Sequence, residues 1–349
     1  MRCSEMSEPT VKEQKMLPGP LDGIRIVECA TWHAGPGASA ILGDLGAEVI
    51  KIETLYGDPE RDYNSLGAVR FDIPGLPDWN FLFALSNRNK KGICLDIKTE
   101  KGKWILHRLV ETADVFVTNM RTSTKPRLGL DYDALSKINP KLIHANMSGF
   151  GAKGPMADVG GFDPMGQAVS GMLFLASDDE PVYLQAVVLD QMASIAFSHA
   201  ILAALVARER QGIGQEIHVS LYSAAIMLTY ANVMATSVMG KNPVSRWDRF
   251  QNSPMRNNFK CKDGRWLMGT NHPEQKYWPT FCAATGMGHL ENDPRYADAD
   301  GRVKNAAELV AMFDQVFRQK TRDEWMQIFI DAGLLFAPVQ KLQDVVEDP

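Results

Sequence analysis

Between residues 21 and 149, short apolar runs alternate with stretches of helical period. "IRIVECA", "EVIKIE", "ICLDI", "ADVFVTN" and "LIHANMSG" read as strands, because each is a compact apolar run rich in branched residues and bounded by turn formers. The helix between the first two strands is well marked. Pro36 suits its first position, Ala38, Ile41, Leu42 and Leu45 share one stripe, and Gly46 suits its end. Strand and helix in this alternation predict a doubly wound, Rossmann-like parallel sheet with helices on both faces.

The pattern changes near Phe259. "FKCKDGRWLMG" gives two short strands around Asp263-Gly264, a favoured two-residue hairpin turn, and Thr321-x-x-Glu324 forms a capping box ahead of a further helix. The expectation is a large α/β domain over 17–225 and a smaller α+β domain over 226–335. At 349 residues the chain exceeds the usual size of one hydrophobic core, which agrees with two domains.

Composition narrows the classes. With 45% hydrophobic and 23% charged residues, disorder, collagen and coiled coil are disfavoured. A net charge of −5 without a Lys/Arg run argues against nucleic acid or an anionic membrane surface as a partner. The five cysteines are odd in number and never in C-x-x-C, the leader lacks an apolar stretch, and no run approaches the ~20 apolar residues of a membrane span. A cytoplasmic enzyme is the expectation.

Gly35-Pro36-Gly37-Ala38-Ser39-Ala40 reads as G-x-G-x-x-A, a form of the dinucleotide fingerprint. Two features disfavour a nicotinamide site. Thr31 to Ala34 separate the strand from the first glycine, and Pro36 removes an N–H that a helix terminus would offer a phosphate. A tight strand-to-helix turn fits the motif better.

The opening stretch "LDGIRIVECATWHAGPGASAILGDLGAEVIKIE" is followed in order by "NRNKKGICLDIKTEKGK", "ADVFVTNMR", "KPRLGLDYDAL", "NPKLIHANMSGFGAKGP", "LVARERQGIGQEIHVSLYSAA" and "EWMQIFIDAGLLFAPVQKLQDVVEDP". This series resembles the class III coenzyme A transferases over nearly the whole chain. The resemblance implies an enzyme that moves CoA from an acyl-CoA donor to a carboxylic acid acceptor without metal. It places the catalytic aspartate at Asp190, where an apolar run meets a long helical pattern. Read from the residues alone, Asp190 is a preferred helix N-cap, and a carboxylate at a helix N-terminus is expected to stay ionised at neutral pH.

The same resemblance puts His33 beside the reacting groups, as a donor to an oxyanion or to Asp190, with Ala34 next to it. It puts Leu95, Lys98, Asn119, Met120, Arg121, Arg127 and Asp163 against CoA. Thr54 stands where formyl-CoA transferase has an arginine, and Arg88, Lys90 or Lys91 are candidates to compensate. A lone histidine or cation read by itself is more often structural or solvated. Trp247, Met255, Trp266 and Trp278 hint at a bulky apolar acid, although core packing is their ordinary role.

An interlocked homodimer is the assembly implied, with residues 336–349 as the truncated start of a segment returning to the large domain. Two rival functions share these features. An α-methylacyl-CoA racemase needs a histidine where Gly161-Phe162-Asp163 has phenylalanine, and a non-catalytic CoA-binding subunit would not need Asp190.

Overall fold

A computed structural model describes residues 18–63, 65, 66, 69, 70, 75, 79–177, 179–185, 187–242 and 248–348. The chain divides into two compact units, Met1–Ser245 and Arg246–Pro349.

The first unit is built on a six-stranded sheet of β1 (Arg25–Cys29), β2 (Glu48–Glu53), β3 (Lys90–Cys94), β4 (Val115–Thr118), β5 (Ile143–Ser148) and β6 (Gln215–Ser220). The spatial order is β3-β2-β1-β4-β5-β6 and every pairing is parallel. That is the doubly wound arrangement expected from the alternation of runs. Its central strands are largely inaccessible, as strands covered on both faces are: Ile26, Val27, Val115, Phe116, Val117 and Ile143 are fully buried, and so are the polar Glu28 and His144.

Two readings of strands need correction. The third strand lies at Lys90–Cys94, three residues earlier than "ICLDI", because an edge strand tolerates the polar Lys90 and Lys91. The sixth strand, "QEIHVS", lies outside the expected set, since its polar and apolar residues alternate on the opposite edge and form no apolar run.

The helices that matter for the site are α1 (Ala34–Asp44), α2 (Phe81–Asn87), α3 (Asp163–Val169), α4 (Val188–Gln211) and α5 (Leu221–Met239). Helix α1 begins at Ala34, two residues before Pro36. Gly37 serves packing against α4, where a Cβ would run into Ser194 Oγ, while Gly35 faces Ala30 and Asn119. The fingerprint-like spacing is thus explained by helix contact, and Ser194 Oγ donates to the Ala34 carbonyl across it. Helices α4 and α5 are long and apolar enough to cross a membrane by length and composition, which corrects the expectation that no run approaches a span. Leu189, Ala193, Phe197 and Ile201 of α4 pack into the core of the sheet, so for this helix the property reflects burial.

The second unit has a three-stranded antiparallel sheet, β7 (Asn258–Lys260), β8 (Trp266–Gly269) and β9 (Phe336–Val339), with β8 in the centre. The hairpin forms, but its loop is longer than two residues, with Lys260 paired to Trp266 and Gly264 in the left-handed region. The capping box at Thr321 and Glu324 is present. Phe336 stacks on Phe329 at 4.1 Å, so the segment expected to lead away from this unit instead completes its sheet. Met255 and Trp278 are core residues here, Trp266 is half-exposed on β8, and Trp247 lies outside the described residues. The division placed at 225/226 falls within α5, all of which belongs to the first unit.

Candidate active site

In a doubly wound sheet the loops leaving adjacent strands part where the strand order reverses, which opens a crevice at the carboxyl ends. Here that place is between β1 and β4. The two loops are tied together by Asn119, whose amide accepts from Thr31 N at 3.1 Å and donates to Thr31 O at 2.6 Å. Against them lies a cavity of about 290 Å³ bordered by Ala34, Met120, Arg121, Gly161 and Asp190, among others. The Gly161 wall packs closely on the chain after β5, since a Cβ on Gly149 would sit 2.9 Å from Gly161 Cα.

A second cavity, of about 360 Å³, lies beside the first and includes Tyr63, Leu82, Asp163 and Tyr183. Trp32, His33, Phe162 and Asp190 border both. Trp32 adopts φ of 63°, an uncommon conformation for a bulky residue, and is held there by donation of its N–H to Asp58 at 3.1 Å. Its ring meets Phe162 edge-on at 5.3 Å and Tyr63 at 5.8 Å.

Asp190 occupies the first turn of α4, not its N-cap. The N-cap, Val187, has φ of 50° and no side-chain bond. Asp163 does the capping from α3: one carboxylate oxygen accepts from Leu189 N at 2.7 Å and from Asp190 N at 3.2 Å, while Gln167 Nε2 donates to the other at 2.5 Å. Both orphan donors are satisfied by a residue distant in sequence, so Asp190 is left with its side chain directed to the cavities. Burial pushes its carboxyl up to about 7, and the Asp163 and Glu60 carboxylates add to this while His33 opposes it. The expectation of a fully ionised group at neutral pH is therefore corrected. Desolvation and like charges outweigh the helix terminus.

His33 is 5% exposed and engaged at both ring nitrogens, with Nδ1 at 3.1 Å from Glu60 Oε1 and Nε2 at 2.7 Å from Gln191 Nε2. It has no bond to Asp190, so the expected donation to that carboxylate is absent here. Ser86 Oγ donates to the second oxygen of Glu60 at 2.6 Å. Beneath this chain runs a buried ion network, in which Lys51 pairs with Glu28 and Asp58 at 2.8 Å each and Lys90 pairs with Glu28 at 2.7 Å. Burial alone would raise the Glu28 carboxyl, but the Lys90 and Lys51 ammonium groups hold it below the usual range. Glu60, Ser86, Gln191 and Asp58 were not singled out in the sequence, because no local spacing connects them to His33 or Asp190.

The description CoA-transferase family III matches residues 21–349. The chain belongs to that family. It is 34% identical over 331 residues to the (R)-2-hydroxy-4-methylpentanoate CoA-transferase of Clostridioides difficile, covering 94% of this chain and 82% of that one. It is 34% identical to the cinnamoyl-CoA:phenyllactate CoA-transferase of Clostridium sporogenes, covering 93% and 79%. A solved CAIB/BAIF family protein from Brucella suis superposes with a TM-score of 0.81 at 32% identity, covering 95% of this chain and 87% of that one. The protein is a class III CoA-transferase, an enzyme acting on CoA thioesters.

The residues that the resemblance assigns to CoA divide into two groups. Ala34, Asn119, Met120 and Arg121 border the first cavity together with Asp190, although the Asn119 amide is spent on Thr31. Leu95, Lys98 and Arg127 do not border it: Leu95 is buried, while Lys98 and Arg127 are exposed. Asp163 borders the second cavity and caps α4. The compensating cations have other partners: Arg88 binds Asp44, Lys91 binds Glu48 and Lys90 is part of the buried network. Among the described residues no group of three or more His, Cys, Asp or Glu is placed to hold a metal.

Proposed function

We propose that Asp190 is the nucleophile of CoA transfer, and the observation that carries this is its position on the wall shared by the two cavities. An Asp190 oxygen attacks the donor's thioester carbonyl, the C–S bond breaks, and CoA leaves as thiolate, giving a mixed anhydride. The thiolate attacks the Asp190 carbonyl and releases the donor acid, giving an aspartyl-CoA thioester. The acceptor carboxylate then attacks that carbonyl, displaces the thiolate, and is attacked in turn at its own carbonyl to leave as acyl-CoA. Each step exchanges one activated carboxyl for another, so the work falls on positioning and on exclusion of water.

In this reading the first cavity receives the thioester end of CoA, with Arg121 available to a phosphate and the Ala34 N–H at the start of α1 available to an oxyanion. His33, held in place by Glu60 and Gln191, is a fixed polar neighbour of Asp190. Phe162 carries no exchangeable proton, so two-base racemisation through that position lacks support.

The test is direct. Incubation with acyl-CoA should add a CoA-sized mass to the peptide containing Asp190, and hydroxylamine or borohydride should trap it. Exchange without labelling would refute the covalent route, and turnover by Asp190→Ala would refute the assignment.

A cytoplasmic homodimer, interlocked as in the family, completes the reading. It is supported by α5, where Met227, Tyr230, Met234 and Val238 form an exposed stripe at helical spacing.

A further inference from the structure

We infer that the second cavity selects the acid: it takes monocarboxylic acids with a branched aliphatic or aromatic side chain and rejects dicarboxylic acids. The inference rests on the transferase reading of Asp190.

The two cavities differ in chemistry. The first has Arg121 and a wall of glycine backbone, which suits a polar, flexible ligand carrying phosphates. The second is walled by the rings of Trp32, Tyr63, Phe162 and Tyr183 with Leu82 and Pro164. Its volume of about 360 Å³ lies within the range of small-ligand sites, about 300–1,000 Å³. The Trp32 ring is fixed between Phe162 and Tyr63 in edge-on contacts, so the apolar wall is defined before any ligand arrives.

Charge decides the rest. Glu60, Asp163 and Asp190 all border this cavity, and among its described lining residues there is no lysine or arginine. Among those described residues His33 is the sole basic group, and both its ring nitrogens are taken. Lys51 is neutralised by Glu28 and Asp58. An acid whose reacting carboxylate meets Asp190 would carry a second, distal carboxylate into apolar surroundings beside two fixed carboxylates. Desolvation and like-charge repulsion then act together against it. An apolar side chain in the same place gains by burial.

The experiment uses the full chain and two readouts. Transfer from acetyl-CoA or butyryl-CoA is measured with 4-methylpentanoate, 3-phenylpropanoate, succinate and glutarate, and binding of the same acids to Asp190→Asn is measured by calorimetry. A preference of about tenfold or more for the two apolar acids in both kcat/KM and affinity is expected, the scale at which an apolar pocket discriminates. Equal or better use or binding of glutarate overturns the inference. Apolar preference in binding with no transfer to any acid supports the pocket and counts against the transferase reading alone.

Tyr183, half-exposed at the cavity rim, supplies the converse test. Tyr183→Arg should raise the glutarate to 4-methylpentanoate ratio by about tenfold by providing the missing cation. A ratio unchanged in either readout places the distal end of the acid elsewhere and overturns the inference.

Discussion

Asp190 shows how a single carboxyl couples reactivity to stability. Its folded-state pKa is raised to about 7 by burial first and then by neighbouring carboxylates, and only the ionised form can attack a thioester. The kcat/KM for the acyl-CoA donor is therefore expected to climb with pH through about 7 and level off above it. The linked stability runs the other way. The folded protein holds this proton to higher pH than the unfolded chain, so stability is lost as pH rises from about 4 towards 7. Asp190→Asn removes the titration, and with a pKa unit worth about 1.4 kcal/mol and part of that screened by solvent, it should gain on the order of 2 kcal/mol at pH 8 and almost nothing at pH 4. Urea denaturation at the two pH values measures it; a variant equally destabilised at both would refute the raised pKa. Asp163→Ala should move the kinetic limb to lower pH and, by removing the cap of α4, cost about 1 kcal/mol. The aspartate was identifiable in the sequence only through the family resemblance, because its residue type and position also suit an N-cap. Its cap lies 27 residues away, beyond any local pattern.

At the scale of elements, the apolar runs made four of the six parallel strands legible in place, since buried strands cannot hide their composition. The edges were displaced or missed, because β3 and β6 carry Lys, Gln, Glu and His where one side of the strand is unpaired. The loops that build the site were legible only as turns. Trp32 is held by Asp58, Asp58 by Lys51, and Lys51 by Glu28, a chain that links the strand ends of β1 and β2 to the 3₁₀ turn Pro59–Asp62 and so to Glu60 and His33. Removing one member of a buried ion group leaves the others uncompensated. Lys51→Met should cost about 3–5 kcal/mol and lower transfer beyond that loss of folded protein, through release of Trp32 and Glu60. Thermal denaturation checks the first effect and kcat normalised to folded protein checks the second. A variant within 1 kcal/mol of the parent, taken as a value of about that size, would show the network to be of little consequence.

For the whole molecule, the prediction concerns what covers α5. This helix is 19 residues long and lies in the first unit, with Ala224, Ala225 and Thr229 buried on one side. On the other side Met227 is 62%, Tyr230 65%, Met234 64% and Val238 78% exposed. Such a stripe is costly in water and marks either a protein partner or a membrane surface. A second copy of the chain is the occupant proposed here, with a buried area well above the standard interface of about 1,600 Å². Sedimentation and light scattering should report a dimer whose mass does not fall on dilution. Met227→Glu with Met234→Glu places two charges on the stripe and should yield monomers, because a charge buried without a partner at an interface is strongly unfavourable. A wild-type chain that is monomeric at every concentration would overturn the dimer, and flotation of that monomer with lipid vesicles, lost in the double variant, would assign the stripe to a membrane instead.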